Sequence, residues 1–107
     1  MGEKKSNYNK LIRDKIPEII TLKEGMICDY KILNDEEYLQ ELDKKIFEEA
    51  QEFVEDHSIE ELADLMEVIY NVMEARNISM EDVEKARKLK NEEKGLFKNK
   101  IYLINKR

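Results

Sequence analysis

The feature that most constrains this chain is a run of apolar side chains at helical spacing through its middle. In residues 34–56 they recur every three or four positions, which is typical of one face of an α-helix. Asn34 predicts the helix cap, with Glu37 as its capping-box partner three residues later. The members of this stripe are Leu39, Leu42, Ile46, Ala50 and Phe53. The segment therefore predicts a helix that buries one face against a neighbour.

A second apolar stripe follows after the short connection "EDHS". Ser58 predicts the cap of this second helix, and so short a connection makes the two helices antiparallel neighbours. The stripe contains Leu62, Leu65, Met66, Ile69, Val72 and Met73. It is wider than one neighbour needs, and we therefore expect a helical homo-oligomer, either a dimer or a tetramer.

Shorter signals complete the expected fold. Pro17 and Gly25 predict the start and the end of a helix before the first stripe, and Ser79 and Gly95 bound a basic helix after the second. The alternating segments 27–33 and 96–107 predict short β-strands. The expected architecture is an all-α antiparallel helical bundle with short strands, forming one domain over residues 1–107.

Composition excludes several classes of function. A net charge of −6 makes nucleic acid an unsuitable partner for the surface as a whole. One cysteine, Cys28, and one histidine provide neither an intrachain disulfide nor a zinc-type ligand spacing. No apolar run approaches the ~18 residues of a membrane span, and no signal-peptide pattern is present. We expect a cytoplasmic protein without a membrane partner.

The connection lies within an unusually acidic stretch, "FEEAQEFVEDHSIEELAD", which contains no lysine or arginine. At about 100° per residue, Glu49 falls about 60° from the centre of its apolar stripe and Glu52 about 120°. On the next helix Glu61 falls about 80° away and Asp64 about 140°. An antiparallel hairpin brings these four carboxylates to the same level.

Four anions at one level must be protonated or be neutralised by cations, because they otherwise repel one another. A hard divalent cation such as Mg²⁺ prefers oxygen ligands of this kind and can bridge to phosphates. The alternative is a solvated acidic face, in which Glu61 completes a capping box with Ser58. The spacing leaves both interpretations open.

At these residues the sequence resembles the all-α nucleoside triphosphate pyrophosphohydrolase superfamily, the MazG-like and phosphoribosyl-ATP pyrophosphohydrolase-like proteins. The family pattern EExxE followed by ExxD stands here as "EEAQE", residues 48–52, and "ELAD", residues 61–64. "YNKLIRDKIPEII" near the start, and "KARKLKNEEKGLF" and "IYLI" near the end, resemble one small single-domain branch. The likeness covers nearly the whole chain in the same order.

The resemblance implies Mg²⁺-dependent hydrolysis between the α and β phosphates of a nucleotide, with Mn²⁺ as a substitute metal. A nucleoside triphosphate, or a phosphoribosyl-ATP-like substrate, would give the monophosphate and pyrophosphate. The implied metal ligands are Glu49, Glu52, Glu61 and Asp64. Glu48 also matches the motif, but the helical count points it away from the seam. Glu48 and Glu49 are the candidate catalytic carboxylates, with Glu48 alternatively a surface residue.

Basic side chains would hold the remaining phosphate oxygens. The candidates are Lys10 and Arg13 near the N-terminus and Lys90 and Lys94 on the basic helix; for each, a solvated side chain is the alternative. Two functions from other classes stay open: a catalytically silent helical oligomer that serves interaction or regulation, and a metal-binding protein without hydrolysis.

Overall fold

A computed structural model describes residues 9–107, and this part of the chain is all-helical. No described helix is both long and apolar enough to cross a membrane. The helices are α1 (Ile16–Glu24), α2 (Asp35–Asp56), α3 (Ile59–Ala75) and α4 (Met80–Lys94). The all-α prediction is thereby confirmed.

The capping residues set the helix boundaries. Asn34 Oδ1 accepts the Glu37 N–H at 2.8 Å, and the Glu37 side chain accepts the Asn34 N–H at 3.2 Å, so the predicted capping box is confirmed. Ser58 Oγ accepts the N–H of Glu61 at 3.1 Å, and Ser79 starts α4 in the same way. Each cap satisfies a backbone donor that the first turn of a helix leaves without an intrahelical partner.

Two residues, His57 and Ser58, connect α2 to α3. His57 closes α2 in the left-handed conformation at φ 58°, which turns the chain sharply. Arg76, after the end of α3, pairs with Asp43 in the first half of α2 at 3.1 Å. The two helices pack as an antiparallel hairpin, as predicted.

The chain divides into two compact units, and the described part of the first, residues 9–76, contains this hairpin. Leu42, at 3% exposure, is the one buried apolar side chain among residues 9–107. Along the stripe of α3, Leu62, Met66 and Ile69 are 39–44% exposed. The second unit, Asn77–Arg107, consists of α4 and the C-terminal segment. The predictions of one domain and of a homo-oligomer stay predictions.

The predicted short strands are wrong. Segments 27–33 and 96–107 contain no strand, and the described chain offers neither of them a neighbouring strand. A strand exists through backbone hydrogen bonds to a partner strand, and alternation of apolar residues cannot supply that partner. Ile27 and Ile32 are each 87% exposed, so their alternation does not mark a buried face.

Candidate metal centre

The packed hairpin brings five carboxylates together, and we call them the acidic cluster: Glu48, Glu49, Glu52, Glu61 and Asp64. Glu49 is shared by two sets of ligand atoms, each set lying within 4.8 Å of one another. One set joins it to Glu48 and Glu52 on α2, and the other joins it to Glu61 and Asp64 on α3. The four carboxylates predicted from helical spacing thus lie near one another, with Glu49 common to both sets, and their role as metal ligands stays a prediction.

Glu49 is the buried member of the cluster, at 6% exposure. Burial raises the pKa of its carboxyl above the ordinary range, and the negative charge of Glu52 raises it further. Lys45, one helical turn earlier, opposes this shift, with its Nζ 3.7 Å from Glu49 Oε2. The nearby lysine thus only partly offsets the effects of burial and like charge on the pKa of Glu49.

Glu61 has the least satisfied oxygen of the cluster. Its Oε1 is shielded from solvent and has no hydrogen-bond partner among the described residues. Burial is the main cause of the raised pKa of Glu61, and the charges of Glu52 and Asp64 and a hydrogen bond with Glu52 add to it. Ser58 caps the helix, but α3 has only that half of a capping box. Glu61 therefore faces the cluster instead of capping its own helix.

Glu48 and Asp64, which we call the outer carboxylates, have cationic partners. Lys45 Nζ lies 3.3 Å from both Glu48 oxygens, and Lys10 Nζ lies 3.8 Å from one of them. Arg13 donates a hydrogen bond to Asp64 Oδ1 at 2.8 Å. The helical count placed Glu48 away from the seam, yet it is half-buried, because residues from the N-terminal segment contact that side of α2.

A cleft of about 460 Å³ opens beside the cluster in the same unit. Lys10, Arg13 and Lys45 line it together with Glu49 and Asp64. Its other lining is largely apolar or neutral and includes Ile16, Tyr38, Leu42, Val68 and Asn71. Asp14 and Glu67 also line it, so the cleft places three cations and four carboxylates around one cavity, beside apolar side chains that can contact an uncharged group.

Two of the four basic residues predicted to hold phosphate, Lys10 and Arg13, reach this site. Lys90 and Lys94 lie exposed on α4, in the other unit. Lys45 was missed, although its spacing of three and four residues from Glu48 and Glu49 is a readable signal of pairing on a helix. His57 packs edge-on against Phe53, with ring centroids 5.4 Å apart, and closes α2.

The donor set fits a hard divalent cation. It offers carboxylate oxygens alone, from two helices, and the shielded Oε1 of Glu61 has no hydrogen-bond partner within residues 9–107. Glu49, Glu61 and Asp64 would hold such an ion, and Glu52 lies beside them.

Comparison with protein-family models gave no match, and no curated protein or solved structure is significantly similar to the chain.

Proposed function

We propose that this protein is a Mg²⁺-dependent nucleotide pyrophosphohydrolase of the MazG-like kind, which cleaves between the α and β phosphates. The observation that carries the proposal is Oε1 of Glu61, which is shielded and has no hydrogen-bond partner among the described residues, on a carboxylate grouped with those of Glu49 and Asp64. A buried polar atom without a partner lowers the stability of the fold. A hard cation that binds this oxygen would supply the missing partner. The likeness of "EEAQE" and "ELAD" to the family motif supports the same reaction.

A bound Mg²⁺ would lower the pKa of water and offset negative charge on the leaving oxygen. A carboxylate that is not fully used in coordination, Glu48 or Glu49, would take the proton of the attacking water. The water oxygen bonds to phosphorus, the bridging P–O bond breaks, and its electron pair stays on the leaving phosphate. The products are the monophosphate and pyrophosphate.

Different side chains of the cleft would bind different parts of the substrate. Lys10, Arg13 and Lys45 face the phosphate oxygens that the metal does not hold. Tyr38 and Val68 would contact the sugar or the base, because their uncharged side chains offer contact surface, and the carboxylates of Asp14 and Glu67 line the same cleft. Substrates that carry a polyphosphate and a nucleoside therefore suit both parts of the cleft.

A panel of nucleoside triphosphates tests the proposal, with pyrophosphate release measured in Mg²⁺ or Mn²⁺. We expect release from at least one nucleotide, and EDTA or the Glu49→Gln substitution should abolish it. Glu55→Gln is the matched control, because Glu55 is exposed on the same helix and bonds only to Gln51 among the described residues. Metal binding without release from any nucleotide would support the metal-binding alternative. If the protein shows neither metal binding nor pyrophosphate release, the catalytically silent module is supported.

The exposed stripe of α3 supports assembly with further copies of the chain. Leu62, Met66 and Ile69 lie on one side of the helix at spacings of three and four, and each remains more than a third exposed. We expect the mass in solution to be that of a dimer or tetramer. Met66→Lys should lower it, whereas Glu60→Lys, about 120° around the helix from Met66, should not. A monomeric wild-type chain would contradict this part of the proposal.

A further inference from the structure

Arg13 is paired with Asp64, one of the residues that would hold the metal ion. Its guanidinium donates to Asp64 Oδ1 at 2.8 Å across 51 residues of sequence. The segment that carries it precedes α1 and is not helical, and the Arg13 side chain is 60% exposed. A carboxylate held by a guanidinium offers a divalent cation fewer free lone pairs, and the fixed positive charge repels that cation. Arg13 and a metal ion therefore compete for Asp64.

The competition is confined to one side of the ligand set. Arg13 reaches Asp64, whereas Oε1 of Glu61 is shielded and accepts no hydrogen bond from the described part of the chain. Lys45 contacts Glu48 and Glu49 from within α2, so helix geometry retains it near the cluster whatever else binds. Arg13 comes from a non-helical segment and lines the cleft, so it can leave Asp64 without disturbing either helix.

We propose that Arg13 is the counter-ion of the metal-free site, that a divalent cation displaces it from Asp64, and that the released guanidinium then holds a phosphate oxygen in the cleft. This inference rests on the proposed function and adds an order to it. Metal loading prepares the polyphosphate site by freeing a charged, fork-shaped donor. Metal binding raises the affinity for the anion by freeing Arg13. Because coupling between two sites is reciprocal, the anion raises the affinity for the metal by the same factor.

Titration calorimetry with Mn²⁺ alone, at low ionic strength, tests the first half. We expect Arg13→Ala to bind Mn²⁺ about 1.4- to five-fold more tightly than wild type, because an exposed ion pair contributes about 0.2–1 kcal/mol. Arg76→Ala is the matched control. It removes the same charge from an exposed arginine–aspartate pair in the same unit, and should leave Mn²⁺ affinity unchanged. Arg13→Lys, which retains the charge, should lie between wild type and Arg13→Ala.

Binding of inorganic triphosphate at saturating Mn²⁺ tests the second half. Arg13→Ala should weaken it about tenfold, the value of a hydrogen bond to a charged group, while Arg76→Ala should not. Opposite signs for metal and triphosphate are the signature of the exchange, since a merely supporting role would weaken both. Equal Mn²⁺ affinity in wild type and Arg13→Ala, or unchanged triphosphate binding, would overturn the inference and leave the metal site standing. Absence of Mn²⁺ binding to wild type would overturn both.

Discussion

The acidic cluster contains two kinds of carboxylate at nearly the same place. The inner carboxylates, Glu49 and Glu61, are crowded by like charge and raised in pKa; Glu49 is buried, and Oε1 of Glu61 is shielded. The outer carboxylates, Glu48 and Asp64, pair closely with Lys45 and Arg13, whereas the same Lys45 lies farther from Glu49, at 3.7 Å. The protein's own cations thus neutralise the rim of the cluster and leave its interior incompletely neutralised. An interior of that kind is suited to a cation that comes from solution.

The largest expected effect separates the inner from the outer carboxylates as metal ligands. Glu49→Gln and Glu61→Gln should each weaken Mn²⁺ binding about 100-fold or more, because even residues that only support a ligand cost about 10- to 100-fold. Glu48→Gln should stay within about tenfold of wild type, since Glu48 is held by Lys45. Calorimetric titration measures all three. Equal losses at Glu48 and Glu49 would break the division.

The next effect is stabilisation of the fold by metal. At a free metal concentration 100 times the Kd, binding to the folded state alone adds about 2.7 kcal/mol to the free energy of unfolding. Thermal melts with and without Mn²⁺ measure this gain, which Glu61→Gln should largely remove. Glu55→Gln should retain it. A metal-induced shift that survives in Glu61→Gln would place the ion outside the inner pair.

Ser58→Ala should lower the free energy of unfolding by about 1 kcal/mol, because it removes the cap of α3. It should also weaken Mn²⁺ binding, since the lost bond fixes the backbone of Glu61. Asn34→Ala removes the cap of α2, far along the helix from Glu49, and should cost similar stability with unchanged Mn²⁺ affinity. Equal effects of both variants on metal binding would mean that Ser58 acts through general stability.

The smallest effect is a pH dependence of the metal-free protein. The pKa values of Glu49 and Glu61 are higher in the folded than in the unfolded state. As pH rises from the ordinary carboxyl pKa through the raised folded pKa, the unfolded state loses its proton first, and stability falls. Glu61→Gln should therefore raise the melting temperature near neutral pH, with a gain that shrinks as pH falls. Asp64→Asn, which breaks the Arg13 pair, should bring no such gain. Melts in EDTA across pH 4–8 test both variants, and an equal gain in Asp64→Asn would contradict the comparison.

The sequence predicted the helices and caps because their causes are local. The cap at Ser58 depends only on the N–H of Glu61, three residues later, which donates to its hydroxyl. The inward position of Glu49 follows from 3.6 residues per turn. The false strand at 27–33 failed because pairing is a property of two segments. The contact of Arg13 with Asp64 was not predictable, since no periodicity relates residues 51 positions apart.

The two-residue connection between α2 and α3 also has a consequence for how the protein folds. All five carboxylates lie within one hairpin, so closing a short loop is enough to assemble them, and short loops close with little loss of chain entropy. The pairing of Arg13 with Asp64 must close a far longer loop. Local contacts form faster than distant ones as a rule. The acidic cluster is thus expected to form before Arg13 pairs with Asp64. During that interval of folding the cluster is accessible to a metal ion.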